Sequence, residues 1–243
     1  MLRFQVFLEN KVKVAPLTQT YKLMMKRPTP LFKDENTIKL PKPEKNTSDA
    51  LRMELDEVID AMVLSPEQDD ENKKIDKEYI NMMKDIVKEE GASKKVLDFV
   101  DEIKRQVDTN TIKMMYQYNR ARPDASAKFH GKKLTARVDV DTPGYPSNHT
   151  ITGYVIGGIL SEMFPNVTEK LNKVAERNAA SRVELGVHFP SDVEAGKTYA
   201  EELLKSLNRA ELPEVTTQEE EMKIKKKYKY SDLPAHVYGK EAY

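Results

Sequence analysis

Between Leu51 and Leu204 the apolar residues return every three or four positions in one stretch after another, and no stretch shows the strict alternation of a half-buried strand. That period places each set on one side of a helix, so the chain must bury a succession of helical faces against one another. Leu51, Leu55, Val58, Ile59 and Met62 form the first stripe, behind the N-cap candidates of "NTSD", and Ser65-Pro66 breaks it. The acidic run "EQDDENKK" is a solvated loop or a helix start. It leads to a second stripe of Ile75, Tyr79, Met82, Met83, Ile86 and Val87, with Gly91 as its stop. Val96, Leu97, Val100, Ile103 and Val107 mark a third helix. "TNTIKMMYQYN" begins a fourth, which ends near "RARP" because Pro123 disfavours helical backbone at Arg122. Ile151, Val155, Ile159 and Met163 give a fifth, "NVTEKLNKVAERNAASRVEL" a sixth, and "PSDVEAGKTYAEELLKSLNRAEL" a seventh with Pro190 in its first turn. The expectation is an all-α fold, a helical bundle of about seven helices.

The ends have a different texture. Residues 1–45, with "KRPTPLF" and "KLPKPEK", read as an irregular N-terminal arm, 46–212 as the helical domain, and 213–243 as a basic C-terminal helix or tail. The tail's lysines read as a solvated face in preference to a nucleic-acid strip. Over the whole chain 40 basic residues balance 40 acidic ones, so no global field draws nucleic acid or an anionic membrane, and any anion site must be local. Cysteine is absent, which excludes disulfides, thiolate nucleophiles and Cys-ligated zinc. Lys11 and Lys13 interrupt the start before an apolar run develops, and "YVIGGIL" falls far short of the roughly 20 residues of a spanning helix. A cytoplasmic location is expected.

Two of the four histidines stand in unusual surroundings: His149 in "YPSNHT" and His188 in "SRVELGVHFPSD". His130 and His236 read as surface residues. Asp192 follows His188 by four residues in the first turn of a helix, where a carboxylate can accept from the imidazole and fix its tautomer. Arg182 and Arg122 supply planar forks suited to a tetrahedral oxyanion. Ser147 and the N–H groups of 148 and 149 lie at a helix start, which offers unpaired donors and positive partial charge to an anion. Taken singly, each residue is better explained as a cap, a core residue or a surface ion pair.

In combination, "RP" at 122–123, "PSNH" at 146–149 and "SRVELGVHFPSD" at 181–192 resemble the superfamily of type 2 phosphatidic acid phosphatases, class A acid phosphatases and vanadium haloperoxidases. Its signature reads KxxxxxxRP, PSGH and SRxxxxxHxxxD, and the third part is matched at Ser181, Arg182, His188 and Asp192. The resemblance spans about residues 46–207, and "YNRARP" and "GVHFPSDVEAGK" look closest to small soluble members, including those of large tailed phages; for a phage protein the compartment would be the host cytoplasm. It implies an acid phosphatase-like hydrolase of phosphate monoesters. His188 would be the nucleophile forming a phosphohistidine, Asp192 its orienting partner, and His149 the acid and then the base. Arg122, Arg182, Ser147 and the Asn148 N–H would hold the phosphoryl oxygens. It also implies no metal or other cofactor, with vanadate as a phosphate mimic, and a phosphorylated small molecule such as a nucleotide or sugar phosphate as ligand. Neither nucleic acid nor a membrane is expected as a partner; a homo-oligomer stays open. The alternatives are a weakly active or inactive phosphate-binding protein and a vanadate-dependent haloperoxidase.

Two positions depart from the signature. Met115 stands seven residues before Arg122, where the family has Lys; Lys113 lies about 200° away around a regular helix. A register pairing Lys113 with Arg120 puts Ala121 in place of the proline, so the Arg122 register is preferred, with Arg120 or Lys128 as a substitute cation. Asn148 replaces the family's Gly, and its side chain is expected to crowd the phosphate at a turn that favours left-handed backbone.

Overall fold

The computed structural model describes residues 12–33 and 37–214; His236 and nearly all of the basic tail lie outside the described residues. Eight α-helices run through them: α1 Gln19–Met24, α2 Asp49–Ala61, α3 Pro66–Glu89, α4 Lys94–Tyr118, α5 Pro123–Phe129, α6 Asn148–Met163, α7 Thr168–Glu184 and α8 Pro190–Lys205. No strand is present among the described residues beyond a single bridge between Phe32 and Leu207. The fold is all-α, as the periodicity requires. Among the described residues no helix is long and apolar enough to cross a membrane.

The starts and stops follow local chemistry. Ser48 accepts from the Leu51 N–H to open α2, and Ser65 and Gln68 form a reciprocal capping box that makes the acidic run the first turns of α3. Gly91, at φ +85°, lies just past the end of α3. The expected third and fourth helices are one helix, α4. Thr109, Asn110 and Thr111 are weak helix formers, but all three are buried, and packing carries the helix through them. It stops at Asn119 in left-handed geometry (φ 51°, ψ 44°). Arg122 is extended (φ −73°, ψ 160°), as a residue before proline should be, and Pro123 opens the short α5.

Helix α6 lies at the centre, against α3, α4, α7 and α8. Its expected stripe widens to about half the circumference, with Ile156 and Leu160 fully buried beside Ile151, Val155 and Ile159. Truncating one of these, as in Ile156→Ala, should cost about 2–5 kcal/mol. Gly196 on α8 permits a close approach of backbone, since a Cβ there would stand 3.0 Å from both the Ser147 carbonyl oxygen and Thr150 Cβ. The start of α6 is thereby pressed against the start of α8. The described part of the arm carries α1 and joins the end of α8, through Lys33 N–H to the Ser206 carbonyl and Asn208 N–H to the Leu31 carbonyl, both 2.8 Å.

Candidate active site

The three motifs converge where α6 and α8 begin and α7 ends. Past α7, Gly186 at φ +70° reverses the chain, and the N–H groups of Val187 and His188 both donate to the Arg182 carbonyl at 3.2 Å. That turn fixes His188 beside Arg182. Asp192 closes the next turn: its Oδ2 accepts from the Phe189 N–H at 2.8 Å, capping α8, and its own carbonyl accepts from the Ser147 N–H at 3.0 Å. The second and third motifs are therefore joined through backbone. Ser147 caps α6, its hydroxyl taking the Thr150 hydroxyl at 2.9 Å. The first-turn N–H groups of α6, those of Asn148 and His149 among them, have no acceptor within the helix.

Arg122 is held from one side by Thr142, whose carbonyl and hydroxyl each accept at 2.9 Å, and by the Val187 carbonyl at 2.7 Å. Its Nη1 lies 2.7 Å from His188 Nε2. An arginine only donates, so Nε2 accepts and the proton sits on Nδ1. The Nδ1–H faces the Gly144 carbonyl and Asp192 Oδ2, the latter at 3.4 Å, without a well-formed hydrogen bond. Burial, then Arg122 and Arg182, hold His188 well below the usual histidine range, so the ring is neutral with a lone pair aimed at the guanidinium. Burial pushes the Arg122 guanidinium down to about 10, still charged at neutral pH.

Facing this wall, Arg182 is buried and donates to Asp76 Oδ1 at 2.6 Å. His149 Nε2 lies 3.4 Å from the same oxygen, its ring 5.5 Å from that of Tyr79, and its carbonyl accepts from Asn178 at 2.7 Å. Burial lowers His149 well below its ordinary value, helped by Arg182, His188, Arg122 and Lys104. A dianionic ligand among these cations would reverse the balance and return the proton.

All seven residues expected at the site, His188, His149, Asp192, Arg122, Arg182, Ser147 and Asn148, stand at this junction. Two details differ from expectation. Asn148 has ordinary helical backbone, and its side chain turns aside to donate to Asp108 Oδ1 at 2.9 Å, so it does not crowd the cleft. Asp108 is paired in turn with Lys104. Neither candidate substitute cation serves: Arg120 is engaged by Glu54, Ser191 and Asp192, and Lys128 is exposed on α5. Met115 itself is buried. His130 is half-buried, its Nε2 3.1 Å from the Asn46 carbonyl oxygen. Asp76, Glu54 and Thr142 were not visible in the motifs; the one signal for Asp76 is a carboxylate flanking the apolar stripe at Ile75 and Tyr79.

A family model described as the PAP2 superfamily matches residues 105–202, a span that contains all seven. A curated non-specific acid phosphatase of Providencia stuartii is 33% identical over 96 residues, 38% of this chain and 38% of that protein, so the match spans well under half of its length. Among solved structures, a bacterial vanadium-dependent iodoperoxidase superposes with a TM-score of 0.54 at 15% identity, over 70% of this chain and 52% of that one, which shows a shared helical fold. A transmembrane PAP2-type phosphatidylglycerolphosphate phosphatase from Bacillus subtilis gives 0.47 at 18% identity, over 65% of this chain and 85% of that one. With the motifs in order at the junction of α6, α7 and α8, residues 105–202 carry the likeness to the PAP2 superfamily.

Proposed function

We propose that this protein hydrolyses phosphate monoesters through a phosphohistidine on His188 Nε2. The observation that carries the reading is the neutral, buried imidazole whose lone pair meets Arg122 Nη1 at 2.7 Å, opposite Arg182 and the start of α6. A phosphoryl group entering here would exchange its oxygens for that contact. Arg122, Arg182, the Ser147 hydroxyl and the Asn148 N–H would share its charge in the trigonal-bipyramidal transition state, the role cations and helix N-termini fill best.

In the first step Nε2 attacks phosphorus, the ester P–O bond breaks, and His149 protonates the departing alkoxide. In the second, His149 takes a proton from water, the hydroxide forms a new P–O bond, and the P–N bond breaks to release phosphate. Nδ1–H becomes the only proton on a cationic ring during the intermediate, which Asp192 stabilises. His149 must enter protonated, so the rate should be greatest on the acid side of neutrality.

p-Nitrophenyl phosphate with a chelator present tests the reading: wild type should turn over and folded His188→Ala should not. Equal inactivity of both folded proteins rejects it. Met115 favours one other reading, a site that binds phosphate without turnover, because the charge-assisted contact of about 1.5–3 kcal/mol that a lysine would give the transition state is lost there. Tight phosphate binding with no hydrolysis would select it.

A further inference from the structure

Arg120, two residues before the phosphate-facing Arg122, is 1% exposed and buried deeper than any other charged residue near the site except Arg182 and Asp192. Its Nη1 donates to Asp192 Oδ1 at 2.7 Å and to the Ser191 hydroxyl at 2.6 Å, and its Nη2 to Glu54 Oε2 at 2.7 Å. Its guanidinium carbon lies 4.4 Å from the centroid of the Phe189 ring. Glu54 completes the loop by accepting from the Ser191 N–H at 2.6 Å. The chain Glu54, Arg120, Asp192, His188 thus runs from the surface of α2 to the ring at the centre of the site.

We propose that Arg120 is a positioning residue: it holds the Asp192 carboxylate ionised and oriented so that His188 keeps its proton on Nδ1 and its lone pair on Nε2. This rests on the phosphatase reading for its catalytic consequence, although the tautomer it sets is a property of the resting protein. The physical need is clear from the surroundings of Asp192. Burial favours its neutral form, and Arg120 is the largest opposing influence; Arg122, His188, the Phe189 N–H and Tyr145 also face it, and Glu54 acts through Arg120. A protonated Asp192 would be a donor toward Nδ1, in competition with the Arg122 donor at Nε2; it would favour the proton on Nε2 at the expense of the Arg122 contact and so remove the nucleophile's lone pair.

Arg120→Lys keeps the charge but cannot bridge both carboxylates. It should lower kcat about 10- to 100-fold, as loss of a supporting shell does. KM for p-nitrophenyl phosphate should change less than about threefold, and the acidic limb of the kcat profile should move to higher pH. Glu54→Gln, which leaves the Arg120 to Asp192 contact in place, should give a smaller change of the same kind and serves if Arg120→Lys does not fold. Histidine 15N spectra at neutral pH read the tautomer without turnover: Nδ1–H for His188 in wild type, a mixture with Nε2–H in the variants. An unchanged tautomer overturns the proposal. So does a raised KM and phosphate inhibition constant at unchanged kcat, which would make Arg120 a phosphate ligand, or a lowered Tm with kcat and tautomer intact. If wild type fails to hydrolyse while the tautomer shift appears, the phosphatase reading falls and the positioning role stands.

Discussion

The two walls of the cleft hold histidines in opposite circumstances. The His188 side chain is 3% exposed, behind a closed network of Asp192, Arg120 and Glu54, while that of His149 is 34% exposed and shares Asp76 with Arg182. Burial keeps both rings neutral, and the proposed mechanism uses them differently. A buried network fixes geometry and tautomer in advance, which suits a nucleophile. An imidazole at the mouth takes its charge from what arrives, which suits an acid that must be protonated only when a phosphate dianion is present.

The largest effect should come from the acid wall. On the proposed mechanism His149→Gln removes the group that protonates the leaving oxygen, and a loss of about 10²- to 10⁴-fold in kcat is expected for an alkyl phosphate. The first step, read as the burst of released nitrophenol or alcohol, should be slowed far less with p-nitrophenyl phosphate, whose leaving group needs little help, than with an alkyl phosphate; equal slowing of that step on both substrates would move the acid elsewhere. Asp76→Asn follows, since it leaves the buried Arg182 without its counter-charge. A cost of about 2 kcal/mol in phosphate affinity is expected, measured as an inhibition constant.

The nucleophile wall should reveal itself in stability. The unfolded chain binds a proton at histidine's ordinary value of about 6.5, whereas folded His188 does so only well below it. The unfolded state therefore carries more protons below that value, and stability present near neutrality is lost as pH falls, by up to about 1.4 kcal/mol per pH unit from this ring. His149, a third exposed, should add less. Asp192, raised by burial, works in the opposite direction on further acidification. Urea unfolding without phosphate at pH 7 and 5.5 should show a steeper loss for wild type than for His188→Gln, and parallel losses would mean the ring is not buried neutral. The smallest effect is expected at Asn148→Gly: with the side chain already turned to Asp108 and away from the phosphate, the rate should change less than about threefold. A large increase would return the side chain to the cleft.

How much of this was legible in the sequence depends on the range of the interaction. Leu51, Leu55 and Val58, or Ile151, Val155 and Ile159, announce their helices because a buried stripe repeats with the helix itself. The seven motif residues were legible because Arg182, His188 and Asp192 are bound by short turns through Gly186 and Phe189. The continuity of α4 through Thr109–Thr111 was not, because tertiary burial outweighs local propensity there. Asp76 and Glu54 lie 106 and 66 residues from the arginines they hold, and nothing local marks them. Asn148 was misread because its partner, Asp108, comes from another helix.

The central claim is that His188 Nε2 carries the phosphoryl group. The most direct measurement is to mix His149→Gln with p-nitrophenyl phosphate, quench in alkali, and map the labelled peptide by mass spectrometry together with the 31P signal. A P–N phosphohistidine on Nε2 of His188 is the expected result, because water attack has lost its base while the first step has lost little. Phosphate on another residue, or release of nitrophenol with no protein-bound phosphate at any time, would contradict it.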